Sequence, residues 1–239
     1  MPWYHAVAER DHDIQNPTSP GKIRTLGEWL RLGPESKVLD IACGRCGPAL
    51  VLASTFGCRI TGVEQATEFI AAARERITSA DLDDLIDVVQ SDAREWQLVE
   101  HEWDVVLCLG ATFIWGDLDG TLAALVPAAK PGGHVVVGEP YWREAPPNDV
   151  DTMGYVSLEE TVERFESAEL TTLGVIASSQ DDWDRYESLH WRAVEEWLEE
   201  HPGDPEAALI RQQHEHHKRA YLETTRELLG WAILVGRRG

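Results

Sequence analysis

The run Val38-Leu39-Asp40-Ile41-Ala42-Cys43-Gly44-Arg45-Cys46-Gly47 constrains the fold more than any other part of the chain. Lys37 to Ile41 spells a short strand, and the small residues from Ala42 to Gly47 make a tight loop that opens a helix through Ala49 to Phe56. Small side chains let the backbone approach a ligand closely, which a bulkier loop would prevent. Glu64, twenty residues beyond Gly44, ends a second strand that starts at Arg59. A carboxylate there can accept hydrogen bonds from both hydroxyls of a ribose. Asp40 and Glu64 together outline a nucleoside pocket at the strand ends.

The alternation continues with a helix from Ala66 to Ser79 and strands from Leu85 to Gln90 and from Trp103 to Leu109. The last of these is nearly all apolar, as a strand buried on both faces must be. A helix from Leu118 to Lys130 follows, and Pro131-Gly132-Gly133 turns the chain into a strand from His134 to Gly138. After a Pro-rich loop (Ala145 to Asp149) come a helix around Ser157 to Ser167 and strands from Leu170 to Ser179 and Trp231 to Gly236. Strands separated by helices read as a parallel sheet with crossover helices. The expected fold is therefore α/β, a Rossmann-like, seven-stranded, mostly parallel sheet with helices on both faces and an antiparallel last strand. One domain is expected: an N-terminal arm and packing helix (1–32), a cofactor-binding core (33–181), a helical cap insertion (182–229) and the final strand (230–239). The arm, Met1 to Pro20, lacks periodicity and reads as loop or short helix; the packing helix runs from Gly21 to Arg31.

Acidic residues outnumber basic ones by 42 to 21, a formal charge of −21. Such a surface repels phosphate backbones and anionic lipid, so neither nucleic acid nor membrane is an expected partner. No apolar run is long enough to span a bilayer and no signal-peptide core is recognisable, so a cytoplasmic location is expected, as a monomer or homodimer. The four cysteines do not follow the spacing of a disulfide framework and are expected to be reduced.

The loop and the acid after the second strand resemble the class I S-adenosylmethionine-dependent methyltransferases. Those enzymes carry Asp-x-Gly-x-Gly-x-Gly after the first strand; here Ala42 and Cys46 stand at the first and third glycine positions. Ser91-Asp92-Ala93, Leu109-Gly110-Ala111-Thr112 and Pro131-Gly132-Gly133 match in order after the third strand, after the fourth and before the fifth. Four further segments are similar to a group of uncharacterised bacterial methyltransferases of the type 11/25 kind. They are Asn16-Pro17, Gly110 to Trp115, Gly138-Glu139-Pro140-Tyr141-Trp142-Arg143 and Trp183-Asp184-Arg185-Tyr186-Glu187. The resemblance implies S-adenosyl-L-methionine as cofactor, leaving as S-adenosyl-L-homocysteine, and a small-molecule acceptor. It implies cofactor contacts from Asp40, Ala42, Cys43, Gly44, Glu64, Gln65, Asp92, Ala93, Leu109 and Gly110. Asp92 is expected at the adenine amino group, and Asp40 near the amino group of the methionine part, directly or through water.

Methyl transfer is in-line displacement at a sulfonium carbon, so alignment of the acceptor and exclusion of water are the main requirements. Where the acceptor must lose a proton, Glu139 and Tyr141 are the first candidates, followed by His5 and His12, whose plainer reading is a solvated arm. Thr112, Trp115, Trp142, Trp183 and Tyr186 are candidate acceptor-binding residues. The near-helical spacing of Trp183, Tyr186, Trp191 and Trp197 equally fits a core stripe.

Three other readings compete. Cys43 and Cys46 form a Cys-x-x-Cys at a helix start, where a thiol-disulfide oxidoreductase would have its active thiols. A non-catalytic nucleoside-binding protein would keep the same pocket. A nicotinamide-dependent dehydrogenase fits less well, because the loop departs from Gly-x-Gly-x-x-Gly. His214-Glu215-His216-His217 lacks the zinc-protease spacing, since Lys218 stands where the second histidine belongs; it reads as a solvated helix face, and no metal site is expected.

Overall fold

The structure, a computed structural model, describes residues 2–148 and 150–239, with side chains from Tyr4 onward. Met1 of the expected arm and Asp149 of the expected Pro-rich loop lie outside the described residues. In chain order the elements are α1 (Pro2–Ala8), α2 (Pro20–Trp29), β1 (Lys37–Ile41), α3 (Gly47–Phe56), β2 (Arg59–Glu64), α4 (Thr67–Ser79), β3 (Ile86–Gln90), β4 (Trp103–Leu109), α5 (Leu118–Leu125), β5 (Ala129–Trp142), α6 (Leu158–Ser167), β6 (Leu170–Ala177), α7 (Gln180–Glu200), α8 (Ala207–Ala220) and β7 (Leu229–Arg238). The seven strands form one sheet in the order β3-β2-β1-β4-β5-β7-β6. β1 to β5 pair in parallel, and β7 runs antiparallel between β5 and β6.

Strand alternation divides the core into two layers. Val38, Val105, Leu107 and Val136 face α2, α3 and α4, while Leu39, Val106, Val135 and Val137 face α5 and α6, where Phe165 is fully buried. The helix ends follow local chemistry. Ser19, Asp117, Ser157 and Ser179 cap α2, α5, α6 and α7 through side-chain oxygens, and Gly57, at φ 69°, closes α3 in a conformation that glycine adopts without steric cost.

Strand ends shift by up to two residues at β6 (to Ala177) and β7 (Leu229–Arg238), and two elements, α5 and β5, differ more from the sequence reading. The helix expected to reach Lys130 stops at Leu125, since Pro127 has no N–H for the ladder and Ala129 already pairs with Trp103 in the sheet. β5 extends past Gly138 to Trp142 because β7 supplies partners along its whole length, ending at Trp142 opposite Leu229.

The inserted segment between β6 and β7 forms α7, α8 and a π-helical turn at Tyr221–Thr225. α1 docks on it through a separate small cluster of Tyr4, Ala8, Val194, Leu198 and Ile210. Arg226, just before β7, ties the end of the cap to its first helix by a bidentate pair with Asp184, Nε–Oδ1 2.9 Å and Nη2–Oδ2 2.8 Å. Among the described residues no helix is long and apolar enough to cross a membrane.

Candidate active site

A cavity of about 580 Å³ opens at the carboxyl ends of β1, β2 and β4. The sheet order reverses direction between β1 and β4, which is where open α/β sheets leave a crevice for a ligand. Asp40, Ala42, Cys43, Gly44, Glu64, Gln65, Asp92, Ala93, Leu109 and Gly110 all line it. Its other side is walled by the arm and α7: His5, Glu9, Gln15, Asn16 and Tyr186, with Phe69, Phe113 and Ile114 as apolar wall.

Asp40 is almost fully buried, and its Oδ2 has no hydrogen-bond partner in the protein. Burial, with the nearby Glu64 charge adding to it, pushes its pKa up to about 7. Both oxygens of Glu64 accept from backbone, Oε1 from the N–H groups of Gln65 and Ala66, each at 2.8 Å, and Oε2 from Gly44 N–H at 3.0 Å, which leaves Oε2 room for another donor. The carboxylate thus fixes the small-residue loop as well as facing the cavity. Asp92 is held by Arg94, Nη2–Oδ2 2.5 Å, and that guanidinium draws its pKa down to about 2. The backbone N–H and Nε of Arg94 also reach Oδ1, at 2.9 and 3.1 Å, and Nε reaches Oδ2 at 3.2 Å, so a further donor at Asp92 has to displace part of this clasp.

Both glycine replacements adopt the left-handed conformation, Ala42 at φ 55° and Cys46 at φ 58°. That costs a non-glycine residue roughly 1–2 kcal/mol. Glycine itself is required at two neighbours. A Cβ on Gly47 would lie 2.1 Å from the Asp13 carbonyl, and one on Gly44 would strike Gln15 Oε1 at 2.2 Å. The arm therefore lies directly on the loop. Arg45 secures it, its Nη1 donating to the carbonyls of Glu9 (2.9 Å), Arg10 and His12 (3.4 Å), while Arg45 N–H donates to Gln15 Oε1 at 2.7 Å. Since bonds to a charged donor contribute about 1.5–3 kcal/mol, Arg45→Ala should loosen the arm by an amount of that order. The expected result is faster proteolytic cleavage before residue 18 with the core resistant; equal cleavage of both proteins would mean that the arm is held elsewhere.

The structure does not bring several of the expected acceptor-side residues to the cavity. Tyr141 lies flat on Gly230, where a Cβ would come within 2.3 Å of its ring, so the sheet pins it away from the cavity. Glu139 is buried on the α5/α6 side of β5 and accepts the Thr112 hydroxyl proton at 2.7 Å; burial raises its pKa to about 7. Thr112 is thereby committed to Glu139. Trp115, Trp142 and Trp183 pack into the two core layers, Trp183 stacking on Tyr221 at 6.3 Å, and none lines the cavity. Of the expected acceptor set, Tyr186 does line it.

His12 is buried rather than solvated, its ring in a T-shaped contact with Tyr186 and its Nε2 donating to the Tyr186 carbonyl at 2.9 Å. It is not on the cavity wall, whereas the more exposed His5 is. His214, read with its neighbours as solvated, is also buried, 3.4 Å from Glu195. Cys43 and Cys46 are buried behind the loop, and their mutual contact and burial push the Cys43 thiol well up. A buried thiol with a raised pKa is a poor nucleophile, the opposite of what a thiol oxidoreductase needs.

Sequence reasoning missed Glu9, Gln15, Phe69, Phe113 and His190. Phe113, 73% exposed beside the cavity, had only its place in a shared segment as a signal, and Glu9 had none.

The model of one protein family, described as a methyltransferase domain, matches residues 38–133, which run from β1 into β5. An Escherichia coli protein, uncharacterized YjhP, is 30% identical over 243 residues, covering 98% of each chain. This chain belongs to the methyltransferase-domain family. Among solved structures, a SAM-dependent methyltransferase from Geobacter sulfurreducens in complex with S-adenosyl-L-homocysteine is 31% identical, with a TM-score of 0.94 covering 100% of this chain and 99% of that one. A SAM-dependent methyltransferase from Thiobacillus denitrificans, also in complex with S-adenosyl-L-homocysteine, is 29% identical, with a TM-score of 0.93 and the same coverage. The match extends over the arm and cap of this methyltransferase as well as its sheet.

Proposed function

We propose that this protein transfers a methyl group from S-adenosyl-L-methionine to a small-molecule acceptor. The observation that carries the reading is the buried, unpartnered Asp40 carboxylate oxygen in a cavity whose loop and acids suit an adenosyl amino acid. A buried carboxylate without a donor is costly, and the cofactor's ammonium group would relieve that cost.

The cofactor supplies an activated methyl group on a sulfonium centre. This chain's residues do the holding: Asp40 takes the ammonium, Glu64 the ribose hydroxyls and Asp92 the adenine amino group. Gly44 and Gly110, both at positive φ, let Gln15 and Asn16 of the arm close over the strand ends that would hold the cofactor. The acceptor occupies the other side, between Phe113 and Ile114 on one wall and His5, Glu9 and Tyr186 on the other. Such mixed lining suits a partly apolar molecule with at least one polar group. His5, on the cavity wall, carries an imidazole that can take a proton from an oxygen or nitrogen acceptor where one must be lost.

The test is calorimetric titration of the protein with S-adenosylmethionine, S-adenosylhomocysteine and NADH in parallel. The expected result is micromolar binding of the two sulfur nucleosides and none of NADH. Failure of both sulfur nucleosides to bind folded protein would remove the reading.

A further inference from the structure

We infer that Glu9, His12 and His190 form a seat for one divalent transition-metal ion of the zinc class, where the arm meets α7. One ligand atom from each lies within 4.8 Å of the other two. Glu9 Oε1 is 2.9 Å from His190 Nε2, and Glu9 Oε2 is 3.6 Å from His12 Nδ1. The two histidine rings stand with centroids 4.5 Å apart.

The orientation of His12 is the telling feature. Its Nε2 faces the Tyr186 carbonyl at 2.9 Å, so that nitrogen carries the proton and Nδ1 presents a lone pair. Nδ1 points at Glu9 Oε2, an acceptor, and both atoms are buried without a hydrogen-bond partner. Two buried lone-pair atoms 3.6 Å apart call for a positive species between them, and an ion seated there releases to solvent the proton that His190 Nε2 donates to Glu9 Oε1. The His12 side chain is fully buried and that of Glu9 only 10% exposed, so water does not substitute freely.

The surroundings match what metal ligands need around them. A ligating histidine gives its other N–H to a backbone carbonyl or a carboxylate, as His12 does to Tyr186. His190 has the Glu187 carboxylate 4.0 Å from its Nδ1, and the Tyr186 hydroxyl donates to Glu9 Oε1 at 2.8 Å, leaving Oε2 free. Two imidazoles and one carboxylate form a set that zinc, cobalt and nickel accept, whereas magnesium and calcium prefer all-oxygen sites. Tetrahedral zinc with bonds of about 2.0–2.1 Å separates its ligand atoms by roughly 3.4 Å. Side-chain shifts on the order of 1 Å would bring the cluster to that spacing. Three protein ligands leave a fourth position open. Because Glu9 is also part of the cavity wall, an ion there borders the space opposite Asp40 and could take an acceptor oxygen in that position.

The inference does not depend on methyl transfer and is tested without it. Full-length protein freed of metal by chelation is titrated with cobalt(II), followed by its visible d–d absorption, and with zinc(II) by calorimetry. Exposed His216 and His217 could bind metal weakly, so the reference protein carries His216→Ala and His217→Ala. We expect one ion per chain in the reference, with tetrahedral cobalt bands, and at least about a hundredfold weaker binding after His12→Gln or His190→Ala. Outer-sphere losses alone reach about 10–100-fold. Absence of stoichiometric binding in the reference overturns the site, as does binding that survives both substitutions. Should either variant fail to melt cooperatively, zinc-edge anomalous scattering from crystals of the reference protein decides. A peak about 2 Å from His12 Nδ1 and from His190 upholds the site, and none there refutes it.

Discussion

Affinity for S-adenosylhomocysteine should fall about a hundredfold between pH 8 and pH 5, most of the loss coming below pH 7. Asp40 is the reason. With its pKa pushed up to about 7 by burial and by Glu64, it is ionised at pH 8 and protonated at pH 5. The ligand's ammonium stays charged over this range, so only the ionised carboxylate pairs with it. A single linked proton then weakens binding about tenfold for each unit below the pKa. Asp40→Asn should flatten the profile at the weak, low-pH level. A flat profile in the unmutated protein would remove Asp40 from the ammonium site. The sign for stability is the reverse. Because the ligand-free folded state binds this proton more tightly than the unfolded chain, Asp40's contribution to stability is lost as pH rises from about 4 through about 7. Ligand binding and ligand-free stability should therefore move in opposite directions over that window as far as this group governs them.

Glu64→Ala should weaken S-adenosylhomocysteine binding by at least about 1.5 kcal/mol, roughly tenfold. Two losses add. The ribose loses its acceptor, and the N–H groups of Gly44, Gln65 and Ala66 lose theirs, so the loop must pay to re-form around the ligand. Calorimetry at pH 8 separates this from the Asp40 effect, since Asp40 is ionised there with or without its neighbour. Unchanged affinity in a cooperatively folded variant would show that the ribose is bound elsewhere.

The two halves of the cavity differ in how far the residues alone revealed them. All ten positions expected at the cofactor side line it, because each sits at a strand end or in the turn directly after one, and strand ends can be read from local pattern. Most residues expected at the acceptor side lie off the cavity, for a physical reason. Strand alternation puts Glu139 and Tyr141 on one face of β5 and Trp142 on the other, and none of the three lines the cavity. Where the Tyr141 ring goes depends on β7, whose Gly230 lies opposite it and opens the space that the ring fills. Likewise the aromatic spacing of α7 marks one buried stripe, but Trp183 meets Tyr221 while Tyr186 reaches the cavity.

The arm shows the limit most clearly. Glu9 and His12 carry no periodic signal, and their partners Tyr186 and His190 lie 174 or more residues away. What the sequence determined by itself was the succession of strands and helices, the tight loop after β1 and the two acids at adjacent strand ends, since all depend on short-range sterics and on period-2 or period-3.6 burial. The tertiary structure alone decided that the arm lies on the loop, that Glu139 pairs with Thr112, and that a carboxylate and two histidines are buried together, because desolvation and partner choice exist only once distant segments pack.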